Sequence, residues 1–369
     1  MHRDLYRRDQ RLTAYVYYEK LIHGFLSTIS AFQHVFDPRV NKHRDPKVMT
    51  ARTLSPKRDG TTCRILSLDG GGAKGFYTLG VLKELEALLG GGPLCDQFEF
   101  IYGTSTGAII AALLAIGKSV DEVHKLYTAH VPNIMSLCGS ASRSAALERL
   151  AVTVFEDREF TNLRTHIGLV AARWTEERPI IFKSCADQAH LSKDTFVPGF
   201  GCTIADAVVA SCSAYPIFEK KCVNIPDEGE VVLIDGGYCA NNPTLFAIAD
   251  ATRALRLNND QLGVVSIGVG TYPEPKRYFH KWIIAKFFLV RLLHKTLAIN
   301  THSMEQLASI LFTDVMLVRV NDTYSTPDMA ADLTEHDLKK LSRIHARGIE
   351  SYRKHARELR TLLDLPAHS

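Results

Sequence analysis

Three short stretches carry residues able to do chemistry. Ser105 is the centre of Gly103-Thr104-Ser105-Thr106-Gly107, after the apolar run 98–102 and before the helix-like run 108–116. A serine with glycine two positions to either side, between a strand and a helix, has the pattern of a nucleophile elbow. The turn is too tight for a Cβ at the flanking positions, and it holds the hydroxyl strained and exposed. Upstream, Asp69-Gly70-Gly71-Gly72-Ala73-Lys74-Gly75 follows the strand-like run 64–68. Its bare backbone N–H groups are what an oxyanion hole needs. Downstream, Asp235-Gly236-Gly237 follows the apolar run 231–234 and leads into Tyr238-Cys239-Ala240-Asn241-Asn242-Pro243. An acid at the end of a buried strand, followed by two glycines, can approach another backbone closely and act as a base.

Each stretch also has an ordinary reading. Gly-x-Ser-x-Gly arises by chance in glycine-rich loops, and Asp-Gly-Gly is a common tight turn. Gly70-x-Gly72-x-x-Gly75 formally matches the dinucleotide fingerprint, with Asp96 about 20 residues further on where a ribose-binding acid is sought. That acid belongs at the end of a strand, however, and Asp96 precedes one. His280, His294, His302 and His336 lie downstream of Asp235. They leave open a Ser-His-Asp triad of the α/β-hydrolase kind, which also runs Ser, acid, His along the chain.

Taken together, the three stretches resemble the signature blocks of the patatin-like phospholipases in order and spacing. The block 205–218, containing Ala210-Ser211-Cys212-Ser213-Ala214-Tyr215-Pro216, is similar to a small-residue helix of that family. The resemblance spans roughly residues 62 to 320. It implies an α/β fold: a three-layer α/β/α sandwich on a mostly parallel sheet, with helical additions at both ends. It implies a serine lipid acyl hydrolase working through a dyad, with Ser105 as nucleophile and Asp235 as base. Gly70, Gly71, Gly72 and Lys74 would form the oxyanion hole, Gly103 and Gly107 the elbow, and Gly236 and Gly237 the base loop. Lys74 stands where many members carry Arg, and a lysine cannot make the bidentate guanidinium contact.

A finer resemblance rests on Asp69–Phe76, including Lys74, and on the segment 314–323 with Asp332-Leu333-Thr334. These resemble the CapV-like phospholipase effectors of bacterial anti-phage (CBASS) signalling. That branch implies a cyclic dinucleotide, such as cyclic GMP-AMP, as allosteric activator, made by a partner nucleotidyltransferase. It implies membrane phospholipid as substrate, reached peripherally from the cytoplasm on the inner face of the membrane. The activator-binding residues are not legible. No DNA or RNA partner, required cofactor or metal is expected.

The elements that must position these residues follow the same lines. Runs 64–68, 78–89, 98–102 and 108–116 alternate strand and helix, as a parallel sheet requires. A helix is expected over 120–150, strands over 179–184, 264–268 and 317–320, and helix over 333–365. Residues 4–36 carry a rough apolar stripe (Leu12, Val16, Phe25, Ile29 and Phe36 among its members) and read as a helix. That helix is either packed on the core or a homodimer element. Residues 37–62 read as a linker. The expected domains are 1–61, 62–325 and 326–369. Residues 276–297 read as a basic amphipathic helix, with Arg277, Lys281, Arg291 and Lys295 in one arc. It suits a well-buried core helix with a solvated stripe, or else a lid, a membrane surface or a phosphate ligand.

Composition fits a globular enzyme, with 46% hydrophobic and 23% charged residues and a net charge of +4. The 8 cysteines show no paired or zinc-like spacing and read as buried thiols in a reducing compartment. The charged residues 1–10 lead into no signal-peptide core, and no uninterrupted run of about 18 apolar residues appears.

Overall fold

The computed structural model describes residues 62–189, 196–226, 228–254, 256–275 and 284–365. The expected N-terminal helix and linker, and the first part of the basic helix, lie outside them. Strand β1 (Cys63–Leu68) is buried along its length, and its alternate residues enter different apolar clusters. Cys63 and Ile65 face one cluster, Leu66 and Leu68 the other. An unbroken apolar strand is what a sheet covered on both faces requires.

The chain continues through α1 (Gly75–Leu88), β2 (Phe100–Thr104), α2 (Thr106–Ala115), α3 (Val120–Ser136) and α4 (Ser140–Phe155). Then come β3 (His166–Arg173), β4 (Arg178–Lys183), α5 (Ile204–Ser211), β5 (Lys221–Ile225) and β6 (Gly229–Asp235). The short α6 (Gly237–Ala240) leads to α7 (Thr244–Ala254), β7 (Leu262–Ile267), α8 (Ile284–Leu311), β8 (Met316–Val320) and α9 (Leu338–Leu362). Hydrogen-bonded neighbours run in the path β5-β6-β3-β2-β1-β7-β8, with β4 also on β3. Strands β3, β2, β1, β7 and β8 are parallel, while β4 and β6 run antiparallel to β3. Helix α7 covers one face, and α1, α2, α5 and α9 the other. The architecture is the expected α/β/α sandwich.

Several elements differ from the sequence reading. The helix expected over 120–150 is two helices, broken where Leu137 turns extended and Gly139 takes φ 88°. Strands β3 and β5 were not expected. The C-terminal residues are part of the same core. On α9, a Cβ on Gly348 would lie 2.1 Å from the Tyr77 carbonyl oxygen of α1, and Tyr77 donates to Ser351 at 2.6 Å. Leu359, Leu362 and Leu363 are buried, so packing shows no break at 325. The cysteines are all free thiols, but Cys138 and Cys222 are exposed rather than buried.

Candidate active site

Strand β3 brings the two motifs together. It pairs with β2 through His166–Val170 and with β6 through Ala171–Arg173, while β4 overlaps both stretches. A strand has two edges, so β2 and β6 must share one. They run in opposite directions along it and meet end to end, with Thr104 opposite Val170 and Asp235 opposite Ala171. Ser105 and Asp235, 130 positions apart in sequence, therefore converge on one point of the sheet.

The elbow is built as its glycines require. Ser105 has φ 54° and ψ −121°, a sparsely populated conformation for a residue with a Cβ. A Cβ on Gly103 would lie 2.3 Å from the Gly107 carbonyl oxygen, and one on Gly107 would lie 2.2 Å from that of Leu68. The Ser105 N–H donates to Ser211 Oγ at 2.9 Å, and Ser211 donates to the Val170 carbonyl at 2.5 Å. Ser211 thus pins the strained turn to β3. Thr104 Oγ1 donates to the Ala240 carbonyl at 2.7 Å, joining the elbow to α6.

Asp235 is 1% exposed. Its carboxyl accepts the Gly237 N–H at 2.7 Å and lies beside the Ser105 side chain. Burial pushes it up to about 6, and the neighbouring Ser105 hydroxyl and Gly237 N–H hold it from rising further. Both residues line an apolar cavity, whose walls include Gly71, Gly72, Ile109, Leu113, Ile134, Leu147, Phe155 and Phe218.

The glycine loop is held at both ends. The Gly70 N–H donates to the Asn241 carbonyl at 2.9 Å, and the Ala73 N–H to the Leu333 carbonyl at 3.0 Å. Between these clamps, the N–H groups of Gly71 and Gly72 have no partner among the described residues. Gly70 is therefore not an oxyanion donor, because its N–H is already taken. Lys74 also departs from expectation. It lines a neighbouring cavity and not the one holding Ser105. Burial lowers it to about 8, partly offset by the charge of Asp332.

The histidine alternative finds no support in the site. His294 and His302 line the neighbouring cavity, His336 is exposed, and His280 lies outside the described residues. Asp96 is bound to Arg164 at 2.6 Å in the turn before β2. Among the described residues no cluster of three metal-ligating side chains occurs.

Two positioning residues were not foreseen. Ser211 carries no sequence signal beyond its place among small residues. Asn241 does carry one, in the run Asn241-Asn242-Pro243 after the base loop. Its side-chain NH2 donates to the Gly70 carbonyl at 3.1 Å and to Thr301 at 2.7 Å.

Comparison with known proteins accords with this geometry. Residues 66–248 match the patatin-like phospholipase family, a stretch from β1 into α7 that encloses all three motifs. Over 316 residues the chain is 56% identical to the cUMP-AMP-activated phospholipase of Escherichia coli, covering 86% of this chain and 98% of that protein. The chain belongs to the patatin-like phospholipase family. It is 27% identical to the cGAMP-activated phospholipase of Escherichia coli strain TW11681, over 66% of this chain and 74% of the relative. It is 26% identical to Patatin-like protein 2 of Arabidopsis thaliana, over 65% and 68% respectively. As a patatin-like phospholipase, this protein is a hydrolase.

Proposed function

We propose that this protein cleaves the carboxylic esters of membrane phospholipids through a Ser105–Asp235 dyad and is switched on by a cyclic dinucleotide. The observation that carries the chemistry is the Ser105 side chain set beside a buried carboxyl in the wall of an apolar cavity. Ser105 Oγ attacks the ester carbonyl carbon, its proton passes to Asp235, and the carbonyl pair moves onto oxygen. The free N–H groups of Gly71 and Gly72 suit that oxyanion, where one donor is worth roughly 3 kcal/mol. Collapse expels the alcohol, which takes the proton back from Asp235, and water then releases the acyl group by the same route. An Asp raised to about 6 is a better base than an ordinary carboxylate and is still ionised at neutral pH.

The cavity suits an acyl chain, since each methylene entering it gains about 0.8 kcal/mol. No helix among the described residues is long and apolar enough to cross a membrane. Peripheral action on the inner face of the membrane is supported by the outer side of α8, which exposes Phe288, Leu292, Ile299 and Ile310. Nucleotide control is supported by the similarity to the cUMP-AMP-activated relative, which makes cUMP-AMP the first activator to test. A partner nucleotidyltransferase and a role in anti-phage defence follow from the same reading, and a homodimer through the N-terminal region is compatible with it.

The test is fatty-acid release from phospholipid vesicles by wild type, Ser105→Ala and Asp235→Asn, with and without cUMP-AMP or cGAMP. Release that needs both residues and one nucleotide is the expected result. Release without nucleotide would leave a constitutive lipase, and release by Asp235→Asn at the wild-type rate would end the dyad.

A further inference from the structure

We infer that the cavity on the other side of the glycine loop is where the activating cyclic dinucleotide binds and from which it sets the oxyanion loop; this rests on the nucleotide-activated reading above. The second cavity shares a wall with the acyl cavity: Gly71, Asn241, Leu297 and Leu333 line both.

Its chemistry is the reverse of its neighbour's. Lys74, Lys295, His294 and His302 offer cationic and hydrogen-bonding groups, alongside Tyr272 and Asn321. A cyclic dinucleotide carries two phosphodiester anions and two flat bases. Lysines suit the phosphates. The Tyr272 ring, stacked on Tyr324 at 5.3 Å, suits a base, and its buried hydroxyl has no hydrogen-bond partner. Glu274 can accept a base amino group. At present Glu274 holds Lys295 at 2.6 Å and Arg291 at 3.1 Å, tying α8 to the segment that follows β7. These pairs are exposed, and such pairs contribute less than about 1 kcal/mol, so a phosphate can displace them.

The wall supplies the coupling. Both clamps on the glycine loop, the Asn241 carbonyl on Gly70 and the Leu333 carbonyl on Ala73, come from residues that line the second cavity. Asn241 is in turn tied to α8: its N–H donates to Asn300 at 2.7 Å and its side chain to Thr301. Asn241 Oδ1 is buried without a partner, in a residue 5% exposed. A ligand that moves α8 or Leu333 therefore moves the supports of Gly71 and Gly72, the two free N–H groups. A lipid headgroup phosphate shares part of this chemistry but lacks the bases.

The experiment titrates the full chain with cUMP-AMP by calorimetry, with sn-glycerol 3-phosphate as a headgroup probe. Lys295→Glu, His302→Ala and Tyr272→Ala are expected to weaken cUMP-AMP binding about 10-fold or more, Lys295→Arg to stay near wild type, and Ser105→Ala to bind as wild type. Lys295 and His302 are exposed, so their replacement leaves the core intact, and thermal unfolding checks this. Equal affinity in wild type, Lys295→Glu and His302→Ala would overturn the site while leaving nucleotide activation standing. Binding of glycerol phosphate without the nucleotide would make it a headgroup site and overturn the inference. Absence of both nucleotide binding and nucleotide activation in wild type would remove the activated reading itself.

Discussion

The chain contains two Asp-Gly-Gly strand ends, and the structure gives them opposite electrostatic fates. Asp69 ends β1 and Asp235 ends β6, and each is 1% exposed. Asp69 takes a bidentate contact from Arg319, at 2.9 and 2.5 Å, and Arg319 also donates to Ser266 at 3.0 Å. Burial raises Asp69 on balance and the guanidinium pulls it only part of the way back, in an ion pair that braces the start of the glycine loop. Asp235 has no cation among the groups that shift it, only a serine hydroxyl and one N–H. A carboxylate paired with arginine is a poor base, whereas one beside a nucleophile's hydroxyl and no cation is placed to take that proton. The same three residues thus make a brace at one strand end and, in the proposed mechanism, a base at the other.

The comparison breaks most visibly in activity. Asp235→Asn should lower ester hydrolysis by about 10⁴-fold, the scale of losing one member of a catalytic unit, with folding intact by circular dichroism. A loss within tenfold would mean that Asp235 does not carry the proton.

The brace should show itself in stability. Arg319→Met leaves Asp69 buried and unpaired, and should cost about 3–5 kcal/mol in denaturant unfolding. The double variant Arg319→Met/Asp69→Asn should recover much of that loss, because both charges go together. A double variant as unstable as the single would refute the ion-pair account.

The smallest expected effect concerns pH. Asp235 binds its proton more tightly folded (about 6) than unfolded (about 3.9), so the native state holds more protons between these values. Its contribution is therefore fully present below about pH 4 and lost as pH rises through about 6, a change of roughly 3 kcal/mol at most. Asp235→Asn should be more stable than wild type at pH 8, and the gap should close by pH 4. Over the same window wild-type activity should rise, as the base becomes ionised. A gap that persists at pH 4 would place the cause elsewhere.

How much of this was legible depended on distance along the chain. The elbow was readable because its constraint is local: Gly103 and Gly107 flank Ser105 two positions away, and the backbone crowding follows from that spacing. Strand β3 was not readable, because its interior holds Gly168, Ala171 and Ala172 where a strand signal needs larger apolar residues. Gly168 is small because the Tyr102 ring lies over it, and a Cβ there would come within 2.1 Å of that ring. Among the described residues strand β5 pairs only with β6, and its Lys221 and Asn224 diluted the pattern. Arg319 did leave a trace, as a lone cation within the apolar run 315–320, but nothing in the run names its partner.

The sequence by itself determined the turns that depend on near neighbours: the elbow, the glycine loop, the base loop and the alternation of strand and helix around them. Only the tertiary structure decided what those turns do. Pairing of β2 and β6 along one edge of β3 put Ser105 on Asp235 rather than on a histidine. Arg319, 250 positions from Asp69, removed that acid from the chemistry. The Asn241 carbonyl took the Gly70 N–H, and Lys74 came to line the other cavity. Backbone geometry is set by residues a few bonds apart, whereas the charge and hydrogen-bonding state of a buried group is set by whichever distant segment the fold packs against it.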